Sequence, residues 1–279
     1  IVSRGHDLLV KGSREDVGRF EEVMRMVVWH VDRYSTLTID DLDRLAKSDE
    51  KTVLKDAGTD NVIVHGPSGN KVYARTPNQY KLVDAVAEND MVFAVGPAGT
   101  GKTYTAVALA VKALKEKRVK KIVLTRPAVE AGENLGFLPG DMKEKLDPYL
   151  QPLYDALTDM IPPEKVAAYI DKGVIEVAPL AFMRGRTLDK AFVILDEAQN
   201  TTIPQIKMFL TRMGRDAKYI ITGDETQVDL PFRQKSGLVH VLKILKEVEG
   251  ISTIRLTGVD VMRHRLVRAV ITAFEQDEK

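Results

Sequence analysis

The chain contains no cysteine. That excludes disulfides, thiolate zinc sites and cysteine nucleophiles, and it fits a reducing compartment, so a cytoplasmic location is expected. No apolar run reaches membrane-spanning length and no signal peptide opens the sequence, so no membrane partner is expected. There is no excess of either charge: 41 Lys and Arg face 40 Asp and Glu, so any basic binding surface must be local. The five histidines lack metal-ligand spacing. Repeats and low-complexity tracts are absent. The first residue is Ile1 rather than Met, as expected of a fragment whose start is missing. What remains is 279 residues, 44% hydrophobic and 29% charged, enough for the core of one large or two smaller domains.

Against that plain background one segment stands out. Gly96-Pro97-Ala98-Gly99-Thr100-Gly101-Lys102-Thr103 is a complete G-x-x-x-x-G-K-[ST] phosphate-binding loop. The apolar run Met91–Val95 before it predicts a buried parallel strand, and Tyr104 to Lys115 after it predicts a helix. Strand, glycine loop and helix aim backbone N–H groups and a helix N-terminus at one anion. The glycines permit close approach to phosphate. Lys102 sets a cation against the β and γ phosphates, and Thr103 offers a hydroxyl to Mg²⁺. Thr105, in the helix, is counted with the nucleotide-binding residues.

Two domains are expected. Residues 1–58 predict a small α+β module: a strand at Asp7–Val10, a helix over Glu15–Tyr34 with apolar residues at helical spacing, and a second helix over Thr38–Ala46. Trp29 falls on the first helix as a core residue. Residues 59–279 open with a hairpin, Val62–Val64 and Lys71–Ala74. Strand–helix alternation follows, with strands at Ile122, Ile175, Phe192, Tyr219 and Ile251 and helices at 143–157, 164–171, 204–213, 238–248 and 264–275. The expected class is α/β, a mostly parallel sheet with helices on both faces.

Phe192–Leu195 runs into Asp196-Glu197. A hydrophobic strand ending in two carboxylates is the partner a phosphate loop requires. Asp196 holds Mg²⁺, and Glu197 orients and deprotonates the attacking water. A second strand, Tyr219–Thr222, leads through Gly223 to Gln227, placed at the carboxyl edge where it can sense the γ phosphate. The Gln79 amide, about 20 residues before the loop, matches the N6/N7 edge of adenine, although Thr76-Pro77-Asn78-Gln79 also reads as a plain helix cap.

Together these residues resemble the PhoH family of P-loop ATPases, related to the first RecA-like domain of superfamily 1 helicases. The likeness spans about residues 59–279. It rests on Thr125–Val129, Gly132–Gly140, Arg184–Leu188, Leu195–Asn200, Gly223–Pro231 and Asp260–His264 besides the phosphate loop. The Asp-Glu-Ala-Gln and Gly-Asp-x-x-Gln pieces are similar to helicase motifs II and III, and Asn78-Gln79 to the Q motif, which favours ATP over GTP.

The resemblance implies further roles. Thr125, Arg126, Arg184 and Arg186 become candidates for contact with single-stranded RNA or DNA, or with a neighbouring subunit. Arg263 is aimed at the γ phosphate, in its own subunit or across an interface. A superfamily 1 helicase closes its site with a second domain that this sequence does not supply. Slow hydrolysis by a monomer and closure in a homo-oligomeric, hexameric ring are therefore expected. The first module resembles the small KH-like start of PhoH proteins, but it lacks a clear G-x-x-G loop. No PIN-type cluster of aspartates is present, so no intrinsic nuclease is expected.

The leading expectation is an Mg²⁺-dependent ATPase acting on RNA. The alternative is an ATP-switched assembly protein that presents partners such as an endoribonuclease. A kinase- or phosphatase-like enzyme of the phosphate-starvation response finds no acceptor pocket in the sequence.

Overall fold

The computed structural model describes residues 2–4, 7–34, 62–127, 142–231 and 233–262, with isolated positions elsewhere. The chain divides into two compact units, Ile1–Asn61 and Val62–Lys279.

In the first unit, β1 (Val2–Arg4) pairs antiparallel with β2 (Asp7–Leu9), and α1 spans Arg14–Tyr34. The Ser13 hydroxyl accepts the Asp16 N–H and donates to the Asp16 carboxylate, which anchors the start of α1. Met26 and Val27 on α1 pack with Leu45 in a small core. The helix expected over 38–46 lies largely outside the described residues.

The second unit begins with the antiparallel hairpin of β3 (Val62–His65) and β4 (Lys71–Tyr73). Then come α2 (Pro77–Glu88), β5 (Met91–Val95), α3 (Lys102–Lys115), β6 (Lys121–Arg126), α4 (Met142–Met160) and α5 (Pro163–Asp171). They are followed by β7 (Ile175–Pro179), β8 (Ala191–Leu195), α6 (Ile203–Leu210), β9 (Lys218–Gly223), α7 (Gly237–Ile244) and β10 (Ile251–Arg255). Helix α2 begins where Thr76-Pro77-Asn78-Gln79 also read as a helix cap. Its start is fixed by Thr76, whose side chain accepts the Gln79 N–H, with Pro77 behind it. The expected C-terminal helix, 264–275, lies largely outside the described residues.

Six strands form one sheet in the order β10-β5-β9-β8-β6-β7, and every pairing is parallel. Side chains alternate between two cores. Val92, Ala94, Phe192, Ile194 and Ile220 join the layer of α2, α3 and α4. Phe93, Val95, Val193, Leu195 and Ile221 join the layer of α6 and α7. Because both faces are covered, the inner strands β5 and β8 read as unbroken apolar runs instead of alternating ones. The sheet order also sets the site. Strand β5, which feeds the phosphate loop, and β8, which ends in the carboxylates, are separated by β9.

Candidate functional site

The loop from Gly96 to Gly101 leaves the carboxyl end of β5 and enters α3 at Lys102. Gly99 and Gly101 adopt φ of +81° and +74°, the left-handed region that a side chain resists. Gly96 is pinned for another reason: a Cβ there would stand 2.2 Å from the Leu256 carbonyl oxygen. Its N–H donates to Gly223 O, which ties the loop to the end of β9. The Thr100 hydroxyl donates to Pro97 O, and the Lys102 ammonium donates to Gly96 O at 2.6 Å and Pro97 O at 2.8 Å. Pro97 is exposed on the loop, whereas Thr105 is only 4% exposed, with its N–H on Gly101 O. Thr105 thus stands buried in the first turn of α3, just past the loop.

The oxygen donors meet beyond the loop. Asp196 Oδ1 accepts from Thr103 Oγ1 at 2.7 Å and from Thr222 Oγ1 at 2.6 Å. Thr222 stands on the intervening strand β9. Glu197 follows in the left-handed region at φ +52°, an uncommon conformation for glutamate that turns the chain sharply off β8. One oxygen of its carboxylate faces Arg126 and the other accepts from the Gln199 amide. Gln199 is buried, and its Oε1 takes the Asp224 N–H. Asn200 clamps Asp229 through its amide in both directions.

The other expected residues take varied settings around this mouth. Gln227 is exposed, and its N–H closes a turn on Asp224 O; Gln199 is the amide that reaches Glu197. Gln79 is 2% exposed, its Nε2 donating to Thr100 O and its Oε1 accepting the Arg75 N–H. In this conformation it braces the phosphate loop, and both ends of the amide that were to read a base are engaged. Thr125 is fully buried, so its side chain forms no surface for nucleic acid. Arg186 grips Glu176 through both nitrogens, at 2.5 and 2.7 Å, and Arg184 is exposed. The pairing holds Glu176 below its ordinary value, chiefly by hydrogen bonding from Arg186. Arg263, and most of the segment Thr125–Val129 and Gly132–Gly140 beyond Pro127, lie outside the described residues.

Reading residue by residue missed Gln199, Thr222 and Asp260. Gln199 sat inside the quoted Leu195–Asn200 run, and Thr222 ended an apolar strand as its single polar residue. Asp260, fully buried, accepts from Asn78 Nδ2 and from the Thr257 N–H. The next turn brings the Met262 N–H onto Gly99 O.

The donor set suits a hard divalent cation. A hydroxyl and a carboxylate stand in contact at the loop mouth. Among the described residues no group of three or more His, Cys, Asp or Glu could hold a metal ion. No helix of the described residues is long and apolar enough to cross a membrane.

A family model described as PhoH-like protein matches residues 71–275. A PhoH-like protein of Bacillus subtilis (strain 168) is 48% identical over 278 residues, covering 99% of this chain and 87% of the relative. A PhoH-like protein of Mycobacterium tuberculosis (strain ATCC 25618 / H37Rv) is 57% identical over 211 residues, or 76% of this chain and 60% of that relative. Among solved structures, the Sulfolobus solfataricus SWI2/SNF2 ATPase core in complex with dsDNA matches 65% of this chain and 44% of its own, at 15% identity and a TM-score of 0.39.

Proposed function

The chain belongs to the PhoH-like protein family, and from that premise we propose that it binds ATP with Mg²⁺ and hydrolyses it to act on single-stranded RNA. One observation carries the chemistry: Thr103 and Asp196 meet at 2.7 Å at the mouth of the phosphate loop, with Glu197 next in the chain. The loop N–H groups and Lys102 receive the phosphate chain, and Thr103 and Asp196 hold the cation. Mg²⁺, when bound, neutralises charge on the β- and γ-phosphate oxygens. Glu197 takes a proton from water as the water oxygen bonds to the γ phosphorus. The bond from that phosphorus to the bridging oxygen breaks, leaving ADP and inorganic phosphate.

Closure of the site by a neighbouring copy in a homo-oligomeric ring belongs to the same reading. It is supported by an apolar lip beside the loop, where Val259 is 73% and Met262 43% exposed. The cytoplasm is the compartment this reading needs, since ATP and RNA meet there.

A second reading has its own support. One Glu197 oxygen is ion-paired with Arg126 and the other accepts from Gln199, which suits an ATP-held assembly protein with little motor action, presenting a partner such as an endoribonuclease.

Two variants test the chemistry. Lys102→Ala should abolish tight ATP binding. Glu197→Gln should bind ATP but turn over at least about 10²-fold more slowly; normal hydrolysis by this variant rejects the assignment. Titrating single-stranded RNA into a steady-state ATPase assay separates the readings. Stimulation that weakens with salt favours action on RNA, and flat rates favour the assembly protein.

A further inference from the structure

The phosphate loop and the carboxylates stand at the carboxyl ends of the strands. A cavity of 330 Å³ lies at the opposite ends, between α2 and α3. It sits where Asp90 leads into β5, Phe192 stands second in β8 and Lys218 opens β9. Its floor is apolar and buried: Val86 of α2, Leu109 and Ala113 of α3, with Val119 and Phe192. Size and lining suit a small organic molecule, since pockets for such ligands span about 300–1,000 Å³.

The rim adds a charge preference. Lys112, Arg118 and Lys218 line it against two carboxylates, Asp90 and Asp216. Arg118 Nε lies 2.8 Å from Glu116 Oε2, and its side chain is still half-exposed. Lys218 is more enclosed. Its ammonium donates to Val86 O at 2.8 Å and Asn89 O at 2.6 Å, which satisfies carbonyls at the end of α2. Asp90 Oδ1 stands 3.9 Å away, beyond hydrogen-bonding reach. An ammonium carries three hydrogens, so one is left for a ligand. Burial lowers the Lys218 pKa, Asp90 opposes that, and Arg118 pushes the same way as burial. The two cations therefore repel one another across the cavity rim, and an anion beside both would relieve the repulsion.

The same two helices hold the phosphate loop at their other ends. Gln79, in the first turn of α2, donates to Thr100 O, and α3 begins at Lys102. About 16 Å of α3, at about 1.5 Å per residue, separates Lys102 from Ala113. Helices are stiff over that length. A molecule wedged between their last turns changes how their first turns bracket the loop.

We propose that this cavity is a regulatory site for a small amphipathic anion, an apolar ring or alkyl body bearing one carboxylate, sulfonate or phosphate, and that filling it changes the affinity of the phosphate loop for ATP. The second half rests on the reading of that loop as the ATP site.

The full chain is titrated with 8-anilinonaphthalene-1-sulfonate, followed by fluorescence. N-phenyl-1-naphthylamine, which lacks the sulfonate, is the neutral control. The sulfonate should saturate a single site and bind at least about 10-fold more tightly than the control. Lys112→Glu reverses a rim charge and should weaken the sulfonate about 10-fold while leaving the control unchanged. Ala87→Trp sets a large ring at an exposed lining position and should weaken both at least about 10-fold. Both substitutions stand at solvent-reached positions. Thermal melts identify a variant that fails to fold, in which case the other decides. Calorimetry then measures ATP affinity with and without saturating sulfonate. The wild type should show a change of at least about 5-fold and Ala87→Trp none, with ATP altering sulfonate affinity by the same factor.

Equal binding of the two probes overturns the anion preference. Sulfonate affinity unchanged in both variants overturns the site. ATP affinity indifferent to the probe overturns the coupling, and a change that persists in Ala87→Trp assigns the probe to the nucleotide site and overturns it as well. Failure of the underlying reading shows separately, as a wild type that binds the probe at this cavity but binds no ATP.

Discussion

Asn78 and Asp260 lie 182 positions apart in the chain, and their side chains meet at 2.8 Å. The contact joins the first turn of α2 to the turn after β10. Each of these elements then touches the phosphate loop: Gln79 through the Thr100 carbonyl, and Met262 through the Gly99 carbonyl. The loop's outer side is therefore clasped by two segments that are themselves fastened together.

Cutting that fastening should loosen the loop. Asn78→Ala removes a donor from a fully buried carboxylate, a loss of about 1–3 kcal/mol. For a domain of this size, each kcal/mol lowers Tm by about 2–4 °C. A melt within 1 °C of wild type would show that the clasp contributes nothing.

Gln199 fixes the direction of the Glu197 carboxylate. Gln199→Ala should lower kcat by up to about 10²-fold, the cost of misplacing a reacting group by roughly an ångström, with KM for ATP little changed. Steady-state kinetics check this. A rise in KM at constant kcat would place Gln199 in binding and not in orientation.

Gly96→Ala should abolish nucleotide binding and destabilise the fold together. The added Cβ would stand 2.2 Å from the Leu256 oxygen, and that backbone is held against β5 by its N–H on Val95 O. Calorimetric titration with ATP and a thermal melt test both halves. Full binding with a normal melt would mean that β10 yields easily.

The Glu176–Arg186 pair carries an acid signature. Arg186 lowers the Glu176 pKa from its ordinary 4.5, so the native state prefers the ionised form. That stability is present above the ordinary value and disappears as pH falls through the lowered one. Glu176→Gln should therefore be less stable than wild type at neutral pH, with the gap closing on acidification below about pH 4. Denaturation curves at several pH values measure the gap, and a gap constant with pH would remove the pair from the acid response.

Much of this was legible in the residues. The phosphate loop, the carboxylate pair and five of the flanking strands are written as local patterns, clearest in β8, where a strand covered on both faces shows an unbroken apolar run. Contacts between distant segments were not legible. Neither the Asn78–Asp260 contact nor the register that sets Arg126 opposite Pro179 leaves a periodic trace. Gln79 and Gln199 illustrate the difference. Both are glutamines near the site, but one amide is consumed by backbone groups alone and the other joins a backbone N–H to the Glu197 carboxylate, and only packing distinguishes them. At the start of α2 the same four residues read both as a cap and as a ligand contact, and the structure shows the cap.

The strand β9, lying between the loop-bearing β5 and the carboxylate-bearing β8, works as a spacer. Two interstrand steps, about 10 Å, separate the roots of the two halves of the site. That length is set by main-chain pairing along the whole sheet and not by any side chain. Rim segments can vary in length and composition without detuning the gap, while a register slip in this one strand would misalign every group on both sides at once.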